Sequence, residues 1–312
     1  MPFAAKKQVF RAKINEVTLG VGENAVKLGG QSVPAFYAFD AEIPSKPKIG
    51  VEITDIFLNT FSAPGILDFY AGCTGEADMA RKAETIPGVS FVCMHFVGAD
   101  PNGLNRPTDE CVRLAQFISK AISLPLVIMG CKNIAKDTEL FLAIGKALAG
   151  KNVLFLSARD ENYQALGKAL THEHKIGAES AVDINLAKQL NTVMTQSGTA
   201  PQSIVMNVGS AAAGYGYEYV ASTLDRIRDA ALRQSDEMLQ MPIIAPICSE
   251  VWSVKEATAS QDDMPEWGDR EQRGIEMEIT TAAAALAGGC DAVILRHPEA
   301  IRTIAEMIDV LS

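Results

Sequence analysis

The chain has 312 residues, 48% of them apolar, and at this length a domain buries ~75% of the surface its unfolded chain exposes, so no disulfide or metal staple is needed for stability. Its net charge of −10 would repel a phosphate backbone, which excludes nucleic acid as an expected partner. No uncharged apolar stretch of about 18 residues occurs, and Gln8, Arg11 and Lys13 interrupt the place where a leader's apolar region would fall, so no membrane span or signal is expected and the cytoplasm is the expected compartment.

Residues 1–47 have a texture of their own. The runs Val9–Ile14, Val17–Leu19, Val26–Leu28 and Phe36–Phe39 are separated by Gly20, Gly22, Gly29 and Gly30, which reads as short hairpins. Residues 48–312 carry no linker or composition break and read as one domain, which the extension either plugs at its N-terminal mouth, the favoured reading, or equips with a docking surface.

From Lys48 onward eight short apolar runs recur: Ile49–Thr54, Val89–Phe96, Leu126–Met129, Val153–Ser157, Ile176–Ala178, Ile204–Asn207, Ile243–Ile247 and Ala292–Leu295. Their spacing leaves room for one helix each and predicts a (β/α)8 TIM barrel with an N-terminal β-hairpin extension. Helices are expected to start at Thr108 after Pro107, at Asp137-Thr138 with Gly150 as the stop, at Asp160 or Asn162, at Asp183, and at Tyr217–Ser222 continuing through Leu232. Two more are expected over Glu271–Ala287 and from Pro298. Two post-strand connections exceed the usual few residues: Val208–Tyr217, which is rich in glycine, and Cys248–Asp269, which holds both tryptophans, Trp252 and Trp267.

Ligands of such a barrel meet the loops that follow its strands. The strand ends bring Asp55, His95, Asn133, Ser157, Arg159, Asp160, Asn207, Ser249, Arg296 and His297 to this mouth, without the spacing of a known catalytic constellation. Gly214-Tyr-Gly216-Tyr-Glu-Tyr219 begins like a dinucleotide fingerprint, but Tyr219 stands where the last glycine belongs and the segment follows the sixth strand, so the Rossmann reading is rejected. What survives is a glycine loop feeding a helix N-terminus, open to a flat or anionic ligand, or else a tight turn that needs positive φ. His172 and His174 fall in the turn before the fifth barrel strand and read as an exposed turn at the closed end; His297-Pro298 reads as a strand stop and helix start. The cysteines at 73, 93, 111, 131, 248 and 290 lack any CxxC-type spacing, so no iron–sulfur cluster and no metal site is expected in this chain. Asp-x-His-x-x-Gly, the pattern by which many corrinoid proteins supply a lower histidine ligand, is absent.

At Gly214-Tyr-Gly-Tyr-Glu-Tyr219, Asp225-Arg-Ile-Arg-Asp-Ala-Ala-Leu232, Met238-Leu-Gln-Met-Pro-Ile-Ile244, Pro265-Glu-Trp-Gly268 and Arg296-His-Pro-Glu-Ala300 the sequence resembles the small subunit of the corrinoid iron–sulfur protein. In archaea this is the delta subunit of the acetyl-CoA decarbonylase/synthase complex. Gly29-Gly-Gln-Ser-Val-Pro-Ala-Phe-Tyr37 and Lys48-Ile-Gly-Val-Glu52 extend the resemblance across nearly the whole chain.

The resemblance implies a barrel that is not catalytic alone. Its heterodimer partner is a large subunit carrying the [4Fe–4S] cluster and the main corrinoid-binding (cobalamin) domain. The pair would shuttle a methyl group from a methyltetrahydrofolate methyltransferase to acetyl-CoA synthase in the reductive acetyl-CoA (Wood–Ljungdahl) pathway of carbon fixation, with the corrinoid bound base-off between the large subunit and the barrel mouth. Contacts are expected from Asn207, Gly209, Ser210, Gly214, Tyr215 and Gly216, since glycines admit a broad planar ligand and Asn and Ser can pair with its amides. The alternative is a pterin-binding TIM-barrel methyltransferase acting on a corrinoid protein, with Asp55, Asp160, Asn133 and Asn207 as candidate pterin contacts. A metal-dependent hydrolase is a third and remote class.

Overall fold

In the computed structural model, which describes residues 9–37, 43, 45–56 and 63–312, eight parallel strands follow one another around a ring. They are β3 (Lys48–Thr54), β4 (Val89–His95), β5 (Leu126–Met129), β6 (Leu154–Ala158), β7 (Lys175–Glu179), β8 (Ile204–Asn207), β9 (Ile244–Ala245) and β10 (Ala292–Leu295). Parallel pairing runs in order from β8 back to β3, then to β10 and β9, and a parallel bridge between Met206 and Ile243 joins β8 to β9. The fold is the expected (β/α)8 barrel. Its strands read as near-continuous apolar runs because each is covered on both faces.

Gly50 shows what the interior requires. A Cβ there would stand 2.1 Å from the Phe91 ring, so only glycine lets that ring cross β3 from its paired strand. The seventh run is the one that shrinks: β9 keeps two residues, and Ile247–Val251 is already helical. Pro242 and Pro246 bracket it and lack the N–H that would extend the ladder.

The helices start largely where their caps lie. Asp183 accepts the N–H groups of Asn185 and Leu186 ahead of Ile184–Gln196, and Asp269 accepts that of Gln272 ahead of Arg270–Ala287. The expected start at Asp137 moves to Ile134, because Asn133 caps by accepting from Lys136 N while the Asp137 carboxylate turns back to the N–H of Cys131. Two short helices between β3 and β4, Pro64–Phe69 and Glu76–Ala83, were not anticipated. The helix from Tyr217 is α-helical to Arg228 and passes into a π turn over Asp229–Arg233.

The extension holds one hairpin among its described residues, β1 (Val17–Leu19) against β2 (Val26–Leu28). The expected strand at Val9–Ile14 is instead an irregular segment, held where the N–H groups of Arg11 and Ala12 reach Leu232 O and where Ile14 exchanges backbone hydrogen bonds with Gly30 and Gln31. Phe36 lies in a turn at φ 61°, and the end of the Phe36–Phe39 run falls outside the described residues.

The hairpin covers the N-terminal ends of the barrel strands. Asn152, just before β6, donates to the carbonyls of Thr18 and Gly20 at 2.8 and 2.9 Å. Ile14, Val17, Leu19 and Leu28 are buried in the same core as the strands. A buried latch completes the attachment: Asp291, just before β10, accepts from Gln31 Nε2, from Arg228 Nη2 at 2.5 Å and from Ile243 N at 2.7 Å. Three of the sequence motifs quoted above thus meet at the closed end, where they hold the plug.

Candidate functional site

Because strand side chains alternate between faces, Glu52 of β3 and His95 of β4 both point into the barrel near its C-terminal end. Glu52 is fully buried and lies between two partners, His95 Nδ1 at 2.7 Å from Oε1 and Arg296 Nε at 2.5 Å from Oε2. Burial opposes its ionisation, but Arg296 and His95 together outweigh that and hold its carboxyl well below the usual carboxylate range. Behind Arg296 lies a second buried carboxylate, Glu278, which accepts the backbone N–H groups of Arg296 at 2.8 Å and His297 at 3.0 Å. Burial pushes its pKa up to about 7, against the pull of those N–H groups, of Arg296 and of the Trp252 indole.

The opposite half of the mouth is a recess of about 60 Å³ lined by residues that include Ser157, Arg159, Glu179, Asn207, Gly209, Ser210 and Glu250, with room for only a few waters. Two ion pairs line it, Arg159 with Glu179 at 2.5 Å and Lys132 with Glu250 at 3.0 Å, and beside them lies Asp137, whose carboxyl accepts from Cys131 N at 2.7 Å. Asn207 Nδ2 donates to Ser157 Oγ at 2.9 Å and its Oδ1 accepts from Gly209 N at 3.2 Å, while Ser210 Oγ is buried without a hydrogen-bond partner. A larger groove of about 590 Å³, lined in part by Phe10, Tyr37, Arg226 and Asp229, opens on the outer flank away from the strand ends.

Of the expected contact residues, Asn207, Gly209 and Ser210 line this recess; Gly214, Tyr215 and Gly216 lie further along the same connection and outside its lining. Gly214 and Gly216 adopt φ of 86° and 82°, a left-handed conformation that favours glycine, and a Cβ at Gly214 would face open space. Tyr215 is half exposed and donates to Glu256 at 2.5 Å.

The other strand-end residues scatter. Asp55 is buried and tied to Gly98 N at 2.8 Å and Arg106 Nε at 3.1 Å, Asn133 is a helix cap, Asp160 is exposed, and Ser249 Oγ donates to Pro246 O. His297 caps the final helix, Pro298–Leu311, by accepting from Glu299 N, and stacks on Trp252 with ring centroids 6.0 Å apart. The expected exposed turn at His172 and His174 is only half correct. His174 is buried, with ring nitrogens 3.2 Å from Val153 N and 2.9 Å from Gly145 O, because two backbone groups there need a partner.

The connection after β9 is likewise no open loop. It contains the helices Ile247–Val251 and Lys255–Thr258 and a turn of 3-10 helix at Pro265–Trp267. Arg273 sews this strap to the long helix Arg270–Ala287 by donating to the carbonyls of Glu256, Gly268 and Ala259 at 2.7, 3.0 and 2.5 Å. Gly274 admits the Trp252 ring, which a Cβ would meet at 2.4 Å.

Glu52, Glu179 and Glu278 were missed as members of the mouth. The available signal was a charge inside an otherwise apolar strand or on the buried face of a helix.

A closed ring of eight parallel strands with a polar layer at its C-terminal end defines the class, a (β/α)8 barrel protein. The fold is shared with dihydropteroate synthases, among them that of Xanthomonas albilineans, solved with 4-aminobenzoic acid (TM-score 0.59, 13% identity, 95% of this chain and 98% of that one), and the 7,8-dihydropteroate synthase of Vibrio fischeri ES114 (TM-score 0.58, 12% identity, 94% and 97%). The family model described as CO dehydrogenase/acetyl-CoA synthase delta subunit matches residues 16–297, and the chain belongs to that family. Its relatives include the acetyl-CoA decarbonylase/synthase complex subunit delta of Archaeoglobus fulgidus, 30% identical over 99% of this chain and 71% of that protein. That of Methanothermobacter thermautotrophicus is 30% identical over 96% and 76%. No helix among the described residues is long and apolar enough to cross a membrane.

Proposed function

We propose that this chain is the non-catalytic barrel subunit of a heterodimeric corrinoid iron–sulfur methyl carrier, shielding the corrinoid while a methyl group passes from a methyltetrahydrofolate methyltransferase to acetyl-CoA synthase. Family membership supports the complex. The observation that carries the finer reading is the mouth itself, a polar floor whose cations are each paired with a carboxylate and whose recess holds about 60 Å³. Such a floor suits a broad ligand resting across it more than a substrate engulfed by it.

The residues fit a corrinoid's rim. Ser210 Oγ is a buried hydroxyl without a partner, Asn207 has an amide at the recess, and the glycine-rich connection leaves its Cβ side open at Gly214. A bound corrinoid would supply the cobalt that carries the methyl group; Ser210 and Asn207 would hold amide groups at its edge, and the loop from Gly209 to Gly216 would exclude water from it. No group of three or more His, Cys, Asp or Glu that could hold a metal occurs among the described residues.

The pterin-binding methyltransferase reading needs acids and amides converging on one pocket. Of Asp55, Asn133, Asp160 and Asn207, only Asn207 lines the recess, which favours the carrier reading. Co-expression with the corrinoid and iron–sulfur partner, read by gel filtration and corrinoid absorbance, tests the proposal: a stable 1:1 complex that retains corrinoid is expected. Saturable binding of methyltetrahydrofolate with methyl transfer to free cobalamin by the chain alone would refute it.

A further inference from the structure

The pairing of Glu52 with His95 fixes more than the fold. Glu52 has no exposed surface, and its two oxygens are divided between Arg296 and His95. With the guanidinium bound to Oε2 the carboxylate stays ionised, so the proton in the Oε1 contact sits on His95 Nδ1, which donates it. That assigns the neutral tautomer and leaves the Nε2 lone pair as the free basic site. His95 ends β4 at the barrel's open end, with its side chain 9% exposed and its Nδ1 edge on the fully buried Glu52.

We propose that the Glu52–His95 pair presents a hydrogen-bond acceptor, His95 Nε2, to an N–H or O–H donor on the face of the ligand that the barrel mouth receives, with Arg296 fixing the charge of the pair. This rests on the corrinoid reading above and adds a contact on β4, across the mouth from the glycine-rich connection after β8. His95 touches the ligand; Glu52 is a positioning residue that acts through it.

The charged groups around the pair are Glu52 of β3, Asp55 just after β3 with its partner Arg106 from the connection after β4, and Arg296 just after β10, with Glu278 behind Arg296. Asp55 and Arg106 pair with each other, so the ionised Glu52 dominates the tautomer.

The test uses the complex of the full chain with its corrinoid-carrying partner. His95→Phe, which offers no acceptor, should lower corrinoid affinity about three- to tenfold, the loss of one net hydrogen bond. His95→Gln, whose amide oxygen can still accept, should recover part of that loss, which a merely structural role for the ring would not predict.

Nitrogen-15 NMR of the unsubstituted full chain at pH 8 gives a check that needs no variant, with His95 Nε2 expected bare and Nδ1 protonated. The opposite tautomer overturns the inference. So does a His95→Phe affinity equal to that of the wild type while the wild type still retains corrinoid. A wild-type complex that holds no corrinoid at any pH overturns the corrinoid reading instead.

Discussion

Replacing Glu278 by glutamine should change stability by an amount that depends on pH in a defined direction. Glu278 is fully buried, and its pKa rises from 4.5 to about 7. A carboxyl whose folded pKa lies above its unfolded value contributes stability that is complete below about pH 4.5 and lost as pH climbs through about 7. At ~1.4 kcal/mol per pKa unit, the wild type gives up about 3 kcal/mol from this group between pH 4.5 and pH 8.

The amide introduced by Glu278→Gln stays neutral throughout but sets its NH2 against one of the Arg296 and His297 N–H groups, which the carboxyl meets with separate oxygens, a pH-independent cost of roughly 1–3 kcal/mol. The variant should therefore be the less stable protein at pH 5, and the gap should close or reverse by pH 8. Urea unfolding of both proteins at pH 5, 6, 7 and 8 measures this directly, since other titrating groups cancel in the difference. A gap that stays constant, or widens with pH, would refute the assignment of Glu278 as a carboxyl kept near neutrality by burial.

Glu52→Ala should cost about 3–5 kcal/mol at pH 7 by stranding buried Arg296, measured by denaturant unfolding. Because the folded carboxyl titrates below its unfolded value, that contribution is present above about pH 4.3 and fades as pH falls below it, so a gap that persists undiminished at pH 2 would contradict the pairing. Arg273→Ala removes three hydrogen bonds to strap carbonyls and should speed proteolytic nicking within residues 255–268 at least tenfold, with a loss of about 1–3 kcal/mol in overall stability; unchanged nicking would show that the strap is held elsewhere. Arg228→Met leaves the Asp291 carboxylate buried beside Gln31, and hydrogen exchange across residues 17–28 should accelerate as the plug loosens. Protection equal to the wild type would mean that the latch is not what holds it.

Reading along the chain recovers what depends on near neighbours. The apolar runs that became β3 to β8 and β10, the cap at Asp183, the helix start at Pro298 and the paired strands Val17–Leu19 and Val26–Leu28 are each written within a few residues, because strand and helix periodicity are local properties of hydropathy and backbone sterics. The motifs that carry the family resemblance are local too, and the match over residues 16–297 upholds it. The same locality explains the errors. The segment after β9 is polar and broken by proline and glycine, so it reads as loop, yet Arg273 and Gly274 supply the contacts that fold it into short helices.

The mouth was decided by closure of the ring. Glu52 finds Arg296 across 244 residues of sequence because β3 and β10 pair only when the barrel closes, and Glu278 reaches Arg296 and His297 from a helix that must first pack behind β10. A buried charge needs a partner wherever it sits, and composition announces that need without naming the partner. Only tertiary packing chose which strand, and therefore which side of the mouth, would meet it.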